Sequence, residues 1–440
     1  MGPVPLDHLA RHGAGPDPPP GHFGVLVPGL EPCKAGVPDV DALVKTMLSR
    51  KGIDQSVTIP AGFTYLGQFI DHDITFDPTS FGARARRPRR TANRRTPRLD
   101  LDSLYGGGPA LQPYLYEKDT PRLLLGKGTP LDLPRNHENV ALIGDRRNDE
   151  NAIISQLHLL FARFHNRIAD DLGSFERARR RVLRHYHWIV LNEYLPMVLG
   201  DSWKGPREHF RPKGEPFIPV EFSGAAFRFG HSMVRPSYGI RALPLDPDQP
   251  GLPALPLFAP LVPNLQGFRA LEEIRRIDWE RFFKLADRGP QTASKIDTRL
   301  PGPLFELPFD DEPALARRTL LRGIKFGLPS GQTLAHALGK PALDEKALRL
   351  GDVPEPMRER LTRSTPLWYW ILCEAEKGGG EQLGPLGALI VGEVLTGLIE
   401  TDPTSFVNRD PEWEPGNLGG TPGTFSMASL VRYAQGGEPF

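Results

Sequence analysis

The sequence predicts a mainly α protein: a single large helical domain with long loops and few short strands. Three observations predict it. Apolar residues recur at three- and four-residue spacing in many segments. Alternating period-two runs are scarce and short. The 47 prolines and 46 glycines gather between the periodic segments rather than in low-complexity runs, so an excess over the roughly 12% of average usage reads as long ordered connections around helices.

Taken in order, residues 1–60 read as an N-terminal arm, 61–405 as the main domain, and 406–440 as a C-terminal tail either packed on that domain or flexible. The strongest helix is predicted over 149–172. There Ile153, Ile154, Leu157, Leu160, Phe161, Phe164, Ile168 and Leu172 form one stripe, and Gly173 is a natural stop. Further helices are predicted over 62–74, 175–198, 222–234, 270–285, 313–325, 331–338 and 366–376. The most apolar stretch, 383–399, is short of a membrane span and interrupted by Pro385 and Glu393, so it reads as a buried helix. No 20–50-residue repeat is present.

Composition excludes several function classes. A formal net charge of +1 leaves no global field to recruit nucleic acid or an anionic membrane. Cys33 and Cys373 cannot build a disulfide framework, and neither belongs to a CxxC pair. The first twenty residues lack an apolar signal region, which sets a cytoplasmic location as the expectation, with non-classical export as the exception. The basic run Arg84–Arg98 can bind phosphate or act as a localisation signal. It lacks interleaved aromatic residues, and a solvated loop paired with acidic neighbours is the favoured reading.

Three segments carry chemistry. In Thr64–Phe76 a helix places Gln68, Asp71 and His72 on one face and turns Asp73 about 100° away. Such a cluster can ligate a divalent metal or simply cap and salt-bridge. In Gly144–Glu150, Arg147 and Glu150 lie three residues apart, although acidic residues there also cap a helix. In Ala225–Val234, a single histidine, His231, sits among apolar and small residues, a setting that also suits a hydrogen-bonded core histidine. No HExxH, GxSxG or P-loop pattern supports a hydrolase or nucleotide-binding reading.

In order, spacing and identity these segments resemble those of the peroxidase–cyclooxygenase superfamily, the animal-type haem peroxidases, over residues from about 60 to 400. Gly67–Asp73 resembles the distal histidine motif, Gly144–Glu150 the distal arginine motif and Phe227–His231 the proximal histidine motif. Leu157-His158 and Arg163–Arg167 match the long core helix. The resemblance implies haem b as cofactor, His231 as proximal iron ligand, and His72, Arg147 and Gln68 as catalytic residues around a bound peroxide. It also implies reduction of hydrogen peroxide through a ferryl haem intermediate. The donor would be a halide, a pseudohalide or a small organic molecule. An excess of arginine over lysine fits a bacterial member.

The resemblance carries further residues. Asp71 and Glu150 match carboxylates that become ester-linked to haem in some relatives, whereas Asn151 stands where others use a methionine for a third link. Arg228 and Arg322 match propionate contacts, and Thr319 replaces an asparagine that hydrogen-bonds the proximal histidine. Thr96, the Arg98 carbonyl, Asp100 and Asp102 match a calcium loop completed by Asp73. Fatty-acid dioxygenases of the same superfamily use a tyrosine three residues before the proximal histidine. Here that residue is Arg228, which favours a peroxidase. A peroxinectin-like binding protein with a vestigial haem site is the alternative from another class; intact His72, Arg147 and His231, and the lack of an Arg-Gly-Asp motif, speak against it.

Overall fold

The computed structural model describes residues 21–49, 52–77, 92–200, 208–212, 214–241, 254–259, 263–286, 289–308, 312–416, 418–421 and 423–436. Helices dominate the described residues, as the periodicity predicts. In the first part of the chain they are α1 (Val37–Met47), α2 (Gly62–Ile74), α3 (Asp102–Tyr105), α4 (Ala152–Leu172), α5 (Phe175–Ile189), α6 (Leu195–Leu199) and α7 (Val220–Ser223). The second part adds α8 (Leu315–Lys325), α9 (Gly331–Ala337), α10 (Met357–Arg363), α11 (Leu367–Lys377), α12 (Pro385–Thr401), α13 (Phe406–Arg409) and α14 (Met427–Gln435).

Helix α4 is the axis of the fold. The Asn151 side chain accepts from the backbone N–H groups of Ile153 and Ile154 at 3.1 and 3.0 Å, which starts the helix. Gly173, in the left-handed region at φ 62°, ends it. Ile153, Ile154, Leu157, Leu160, Phe161, Phe164 and Ile168 are all fully buried, and Leu172 is partly buried against them. At about 1.5–3 kcal/mol for each large apolar side chain, this stripe is a major part of the driving force. It packs against α2, α5 and α14, and Phe69 of α2 stacks on Phe161 with ring centroids 4.6 Å apart.

The strands are short and peripheral: β1 (Gly21–Gly24), β2 (Gln55–Pro60), β3 (Ala92–Asn93), β4 (Ile218–Pro219), β5 (Ser237–Tyr238), β6 (Leu255–Pro256) and β7 (Thr292–Ser294). β1 lies between β3, antiparallel with Gly21 opposite Asn93, and β4, parallel with Phe23 opposite Ile218. β2 pairs antiparallel with β7, and β5 with β6.

The arm over 1–60 contains β1, α1 and β2, with α1 packed on α8 and its Val40, Leu43 and Met47 fully buried. Within the tail, α14 packs on α4, the first of the two alternatives for that segment. The structure differs from the sequence-based expectation in three places. The helix predicted from 149 begins at Ala152, behind a 3-10 turn over Arg146–Asp149. The helix predicted over 222–234 is instead α7 followed by a 3-10 turn, Ala226–His231. Over 270–285 only two 3-10 turns form, Glu273–Arg275 and Trp279–Arg281.

The predicted apolar helix is α12, with Pro385 at its first position, where no backbone N–H is needed. Buried Glu393 accepts from the backbone N–H groups of Glu208, His209 and Phe210 at 3.1, 2.7 and 2.7 Å. Among the described residues no helix is long and apolar enough to cross a membrane. Residues 84–91 of the basic run lie outside the described residues.

Gly144 shows how closely two site loops approach. A Cβ there would lie 2.6 Å from the Ser103 carbonyl oxygen and 2.7 Å from that of Asp102. Gly144→Ala is therefore expected to destabilise the protein by about 1–3 kcal/mol. Gly351→Ala, whose Cβ would meet nothing within 4 Å, should stay within about 0.5 kcal/mol of the parent. Urea midpoints of the two variants make the comparison.

Candidate functional site

Helix α2 supplies four of the predicted residues, Gln68, Asp71, His72 and Asp73. The Gln68 amide donates to the Glu150 carboxylate, joining α2 to the turn that precedes α4. Asp71 Oδ1 accepts from the Thr75 hydroxyl at 2.9 Å. His72 is 5% exposed, and its Nδ1 lies 2.8 Å from Asn148 Oδ1. Burial, reinforced by the Arg147 charge, lowers the His72 pKa to about 4, so the ring is neutral at pH 7.

Arg147 lies across the C-terminal end of α2. Its Nη2 donates to the carbonyl oxygens of His72 at 3.1 Å and Thr75 at 2.7 Å, and its Nε and Nη2 engage Asp145 at 3.1 and 2.8 Å. The guanidinium also covers the Phe76 ring, 4.7 Å from its centroid. Among the described residues Nη1 has no acceptor, so one arm of a fixed cation is left for a ligand.

The second histidine closes the Ala226–His231 turn. His231 Nδ1 lies 3.3 Å from the Thr319 hydroxyl of α8, and that hydroxyl donates its own proton to the Leu315 carbonyl oxygen at 3.0 Å. The hydroxyl can therefore only accept from His231, which fixes the proton on Nδ1 and leaves Nε2 as a lone pair. Burial, with Arg228 and Arg318 nearby, holds the His231 pKa well below the ordinary histidine value. Trp368 of α11 meets the ring edge-on, with centroids 6.0 Å apart, and its indole N–H donates to the Arg228 carbonyl oxygen at 3.0 Å.

The two histidines sit on elements in direct contact, since α2 packs on the His231 turn and the Thr64 hydroxyl donates to the Met233 carbonyl oxygen at 3.4 Å. Arg228 donates from Nε to the Ser223 carbonyl oxygen at 2.7 Å, and Arg322 pairs with Asp77 at 2.7 Å. Burial pulls the Arg228 pKa down to about 10, helped by Arg322; Asp71 pulls the other way. A partly buried cation short of counter-charge is suited to an anionic group such as a carboxylate. The residue types thus fit haem: a neutral imidazole lone pair for iron, and arginines for propionates.

A third cluster adjoins the first. Carboxylate oxygens of Asp73, Asp100 and Asp102 lie within 4.8 Å of one another. Asp73 Oδ2 accepts from the Leu101 N–H at 3.1 Å, and the Thr96 hydroxyl donates to Asp100 Oδ1 at 2.8 Å. Asp73 Oδ1 and Asp102 Oδ1 are buried without a hydrogen bond, although Arg95 Nη1 stands 3.4 Å from the latter. Burial raises the Asp73 pKa well above the carboxylate range, with Asp102 and Asp100 adding to it. Burial likewise lifts Asp102 to about 7. Three crowded carboxylates with orphaned oxygens are the donor set of a hard divalent cation. The Arg98 side chain turns away, to Asp402 at 3.5 Å, so only its carbonyl is available to the loop.

Sequence reasoning singled out His72, Arg147 and His231 but assigned no role to Asn148, Asp145, Thr75, His158 or Trp368, all of which touch them or their partners. Asp145 and Asn148 stand inside the distal arginine motif and His158 inside the segment that matches the long core helix, the signals that point to them.

Residues 78–258 match the family model described as animal haem peroxidase. Thyroid peroxidase of Mus musculus is 28% identical over 363 residues, covering 72% of this chain and 39% of that protein. The chain thus spans about two fifths of the length of such curated relatives. Among solved structures, peroxidase A of Dictyostelium discoideum superposes with a TM-score of 0.62 at 18% identity, covering 89% of this chain and 91% of that one. The fatty acid α-dioxygenase of Arabidopsis thaliana gives 0.62 at 15%, covering 94% and 76%. These likenesses establish the shared helical fold.

Burial of neutral histidines has a cost that appears in acid. His72, His165 and His185 are lowered to about 4 and His158 to about 3, in each case first by burial. The unfolded chain binds these protons near pH 6.5 and the folded chain does not, so stability is full above 6.5 and falls as pH drops toward 4. Buried carboxylates such as Asp102 and Glu374, raised to about 7, pull the other way over the same window, so the test is a difference: relative to His185→Gln, the wild-type urea midpoint should lose ground as pH falls from 6.5 to 4.5. A pH-independent difference would contradict a neutral, buried His185.

Proposed function

Because the chain belongs to the peroxidase–cyclooxygenase superfamily, we propose that it is a haem-dependent peroxidase that reduces hydrogen peroxide and oxidises a halide, a pseudohalide or a small organic donor. The observation that carries this reading is the pair of neutral histidines on contacting elements, buried His72 held by an amide and partly buried His231 by a hydroxyl. His231 Nε2 is the residue atom that would hold the iron. Bound haem supplies the metal that receives a peroxide oxygen and the electrons that reduce it.

The chain's own residues do the rest. With Nδ1 turned to Asn148, His72 presents Nε2 as a base that takes the peroxide proton and returns it to the departing oxygen. Arg147 brings a fixed positive charge to the oxygen that leaves, through Nη1. Gln68, tied to Glu150, orients a small molecule beside His72. Arg228 and Arg322 neutralise propionates. Asp71 and Glu150 are the carboxylates suited to ester linkage. Asp73, Asp100, Asp102, Thr96 and the Arg98 carbonyl would hold calcium, and Asp73, adjacent to His72, would let the ion brace the end of α2.

Absorption spectroscopy of the purified chain supplied with haem tests the reading. His231→Ala should lose the Soret band, whereas His72→Ala should keep it and react with peroxide about 10²–10⁴-fold more slowly. A wild-type rate in the His72 variant would refute its role. Acidified organic extraction leaves haem on the polypeptide only if an ester is present.

Calcium has its own test. A carboxylate with a raised folded pKa loses stability as pH rises from its unfolded value near 3.8 through its folded one, here about 7 for Asp102. The difference in Tm between calcium-loaded and chelator-treated protein should therefore widen from pH 5 to pH 8. No difference at pH 8 would mean that no ion is held there.

A further inference from the structure

The His72 ring does not end its hydrogen bonding at Asn148. Asn148, fully buried in the Arg146–Asp149 turn, accepts at Oδ1 from His72 Nδ1 across 2.8 Å and presents Nδ2 to His158 Nδ1 at 3.1 Å. His158 is 3% exposed on the first turns of α4. The three side chains form a buried line from α2 to α4, and each contact constrains the next. An imidazole that receives the amide N–H at Nδ1 cannot carry a proton there, so His158 holds its own proton on Nε2. With the amide nitrogen committed to His158, only the amide oxygen faces His72, and His72 must place its proton on Nδ1.

Resting on the reading of His72 as the peroxide base, we infer that Asn148, oriented by His158, is the positioning residue that sets the His72 tautomer, leaving the Nε2 lone pair toward the ligand. The opposite tautomer would present an N–H to peroxide and could not take its proton. The rigid 3-10 turn supports this. Asp145 caps it by accepting the Arg147 N–H at 2.9 Å, and the Asn148 N–H donates to the Asp145 carbonyl oxygen at 3.0 Å. The amide therefore has little freedom to follow a moving ring.

Nitrogen-15 NMR of the full chain, labelled at histidine and loaded with diamagnetic zinc protoporphyrin, reads the tautomer directly; loss of the signal in His72→Ala assigns it. The wild type is expected to show a protonated Nδ1 and an unprotonated Nε2 at His72. Asn148→Ala should give a mixture of tautomers and slow the haem enzyme's reaction with peroxide about 10–100-fold. Asn148→Asp, which keeps an acceptor on Nδ1, should restore the tautomer. If the alanine variant does not fold, Asn148→Leu carries the same expectation at similar volume. A wild-type ring protonated on Nε2, or an Asn148→Ala variant with unchanged tautomer and rate, would overturn the inference. Failure of the parent reading looks different: the expected tautomer is present, but His72→Ala reacts with peroxide as fast as the wild type.

Discussion

The Asp145 carboxylate is 2% exposed, and two arginines and a backbone N–H converge on it. Arg95 reaches it with Nε at 2.9 Å and Nη2 at 2.7 Å. Arg147 reaches it with Nε and Nη2, and the Arg147 N–H with a 2.9 Å bond. Burial alone would push this carboxylate upward, but the Arg147 and Arg95 charges outweigh it and hold Asp145 well below the usual carboxylate range. Each arginine then ties a different part of the site. Arg95 also stands beside Asp102 in the acidic loop, and Arg147 grips the carbonyl oxygens at the end of α2. One buried anion thus fixes the relative positions of α2, the acidic loop and the turn before α4. Removing one member of such a cluster leaves the others buried and uncompensated, at about 3–5 kcal/mol.

That arrangement explains why the distal residues sit on irregular backbone. A 3-10 turn over Arg146–Asp149 directs both Arg147 and Asn148 to the end of α2, the first to the His72 and Thr75 carbonyl oxygens and the second to the His72 ring. A continuous helix from residue 149 back through 145 would place them about 100° apart on one rod, without the Asp145 cap that holds both. The same logic applies to His231, at the last position of a 3-10 turn whose Arg228 carbonyl also accepts from the Trp368 indole N–H.

This is also where the sequence stops being legible. The apolar stripe of α4 and the bounds of α2 could be read because burial enforces a 3.6-residue period on long helices. The segment 222–234 has the composition of a helix, yet Gly224 and Gly230 break it, and Arg228 and His231 are placed by tertiary partners. Helix α1 was hidden in a Pro- and Gly-rich stretch, although Pro38 sits at its start, where proline is favoured. At the site, His72, Arg147 and His231 were legible because their motifs keep a fixed local spacing. Asn148 and His158 were not legible as a pair with His72, because their contacts span 76 and 10 residues and no local pattern encodes an amide that turns one face to each ring.

The two histidines also differ in how firmly their partners hold them. Asn148 offers a carbonyl-type oxygen at 2.8 Å, whereas Thr319 offers a hydroxyl at 3.3 Å that has already given its proton to Leu315. An amide oxygen is the stronger acceptor, and the shorter contact polarises the His72 N–H more, which raises the basicity of its far nitrogen. The longer contact at Thr319 draws less on the His231 N–H, so Nε2 keeps the electron density of an ordinary neutral imidazole. Arg228 and Arg318 add to the weak basicity of this ring, since nearby cations disfavour its protonated form. The site therefore places its stronger base on the α2 side and a modest donor on the α8 side. That is the asymmetry required when one ring must move a proton and the other must hold a metal.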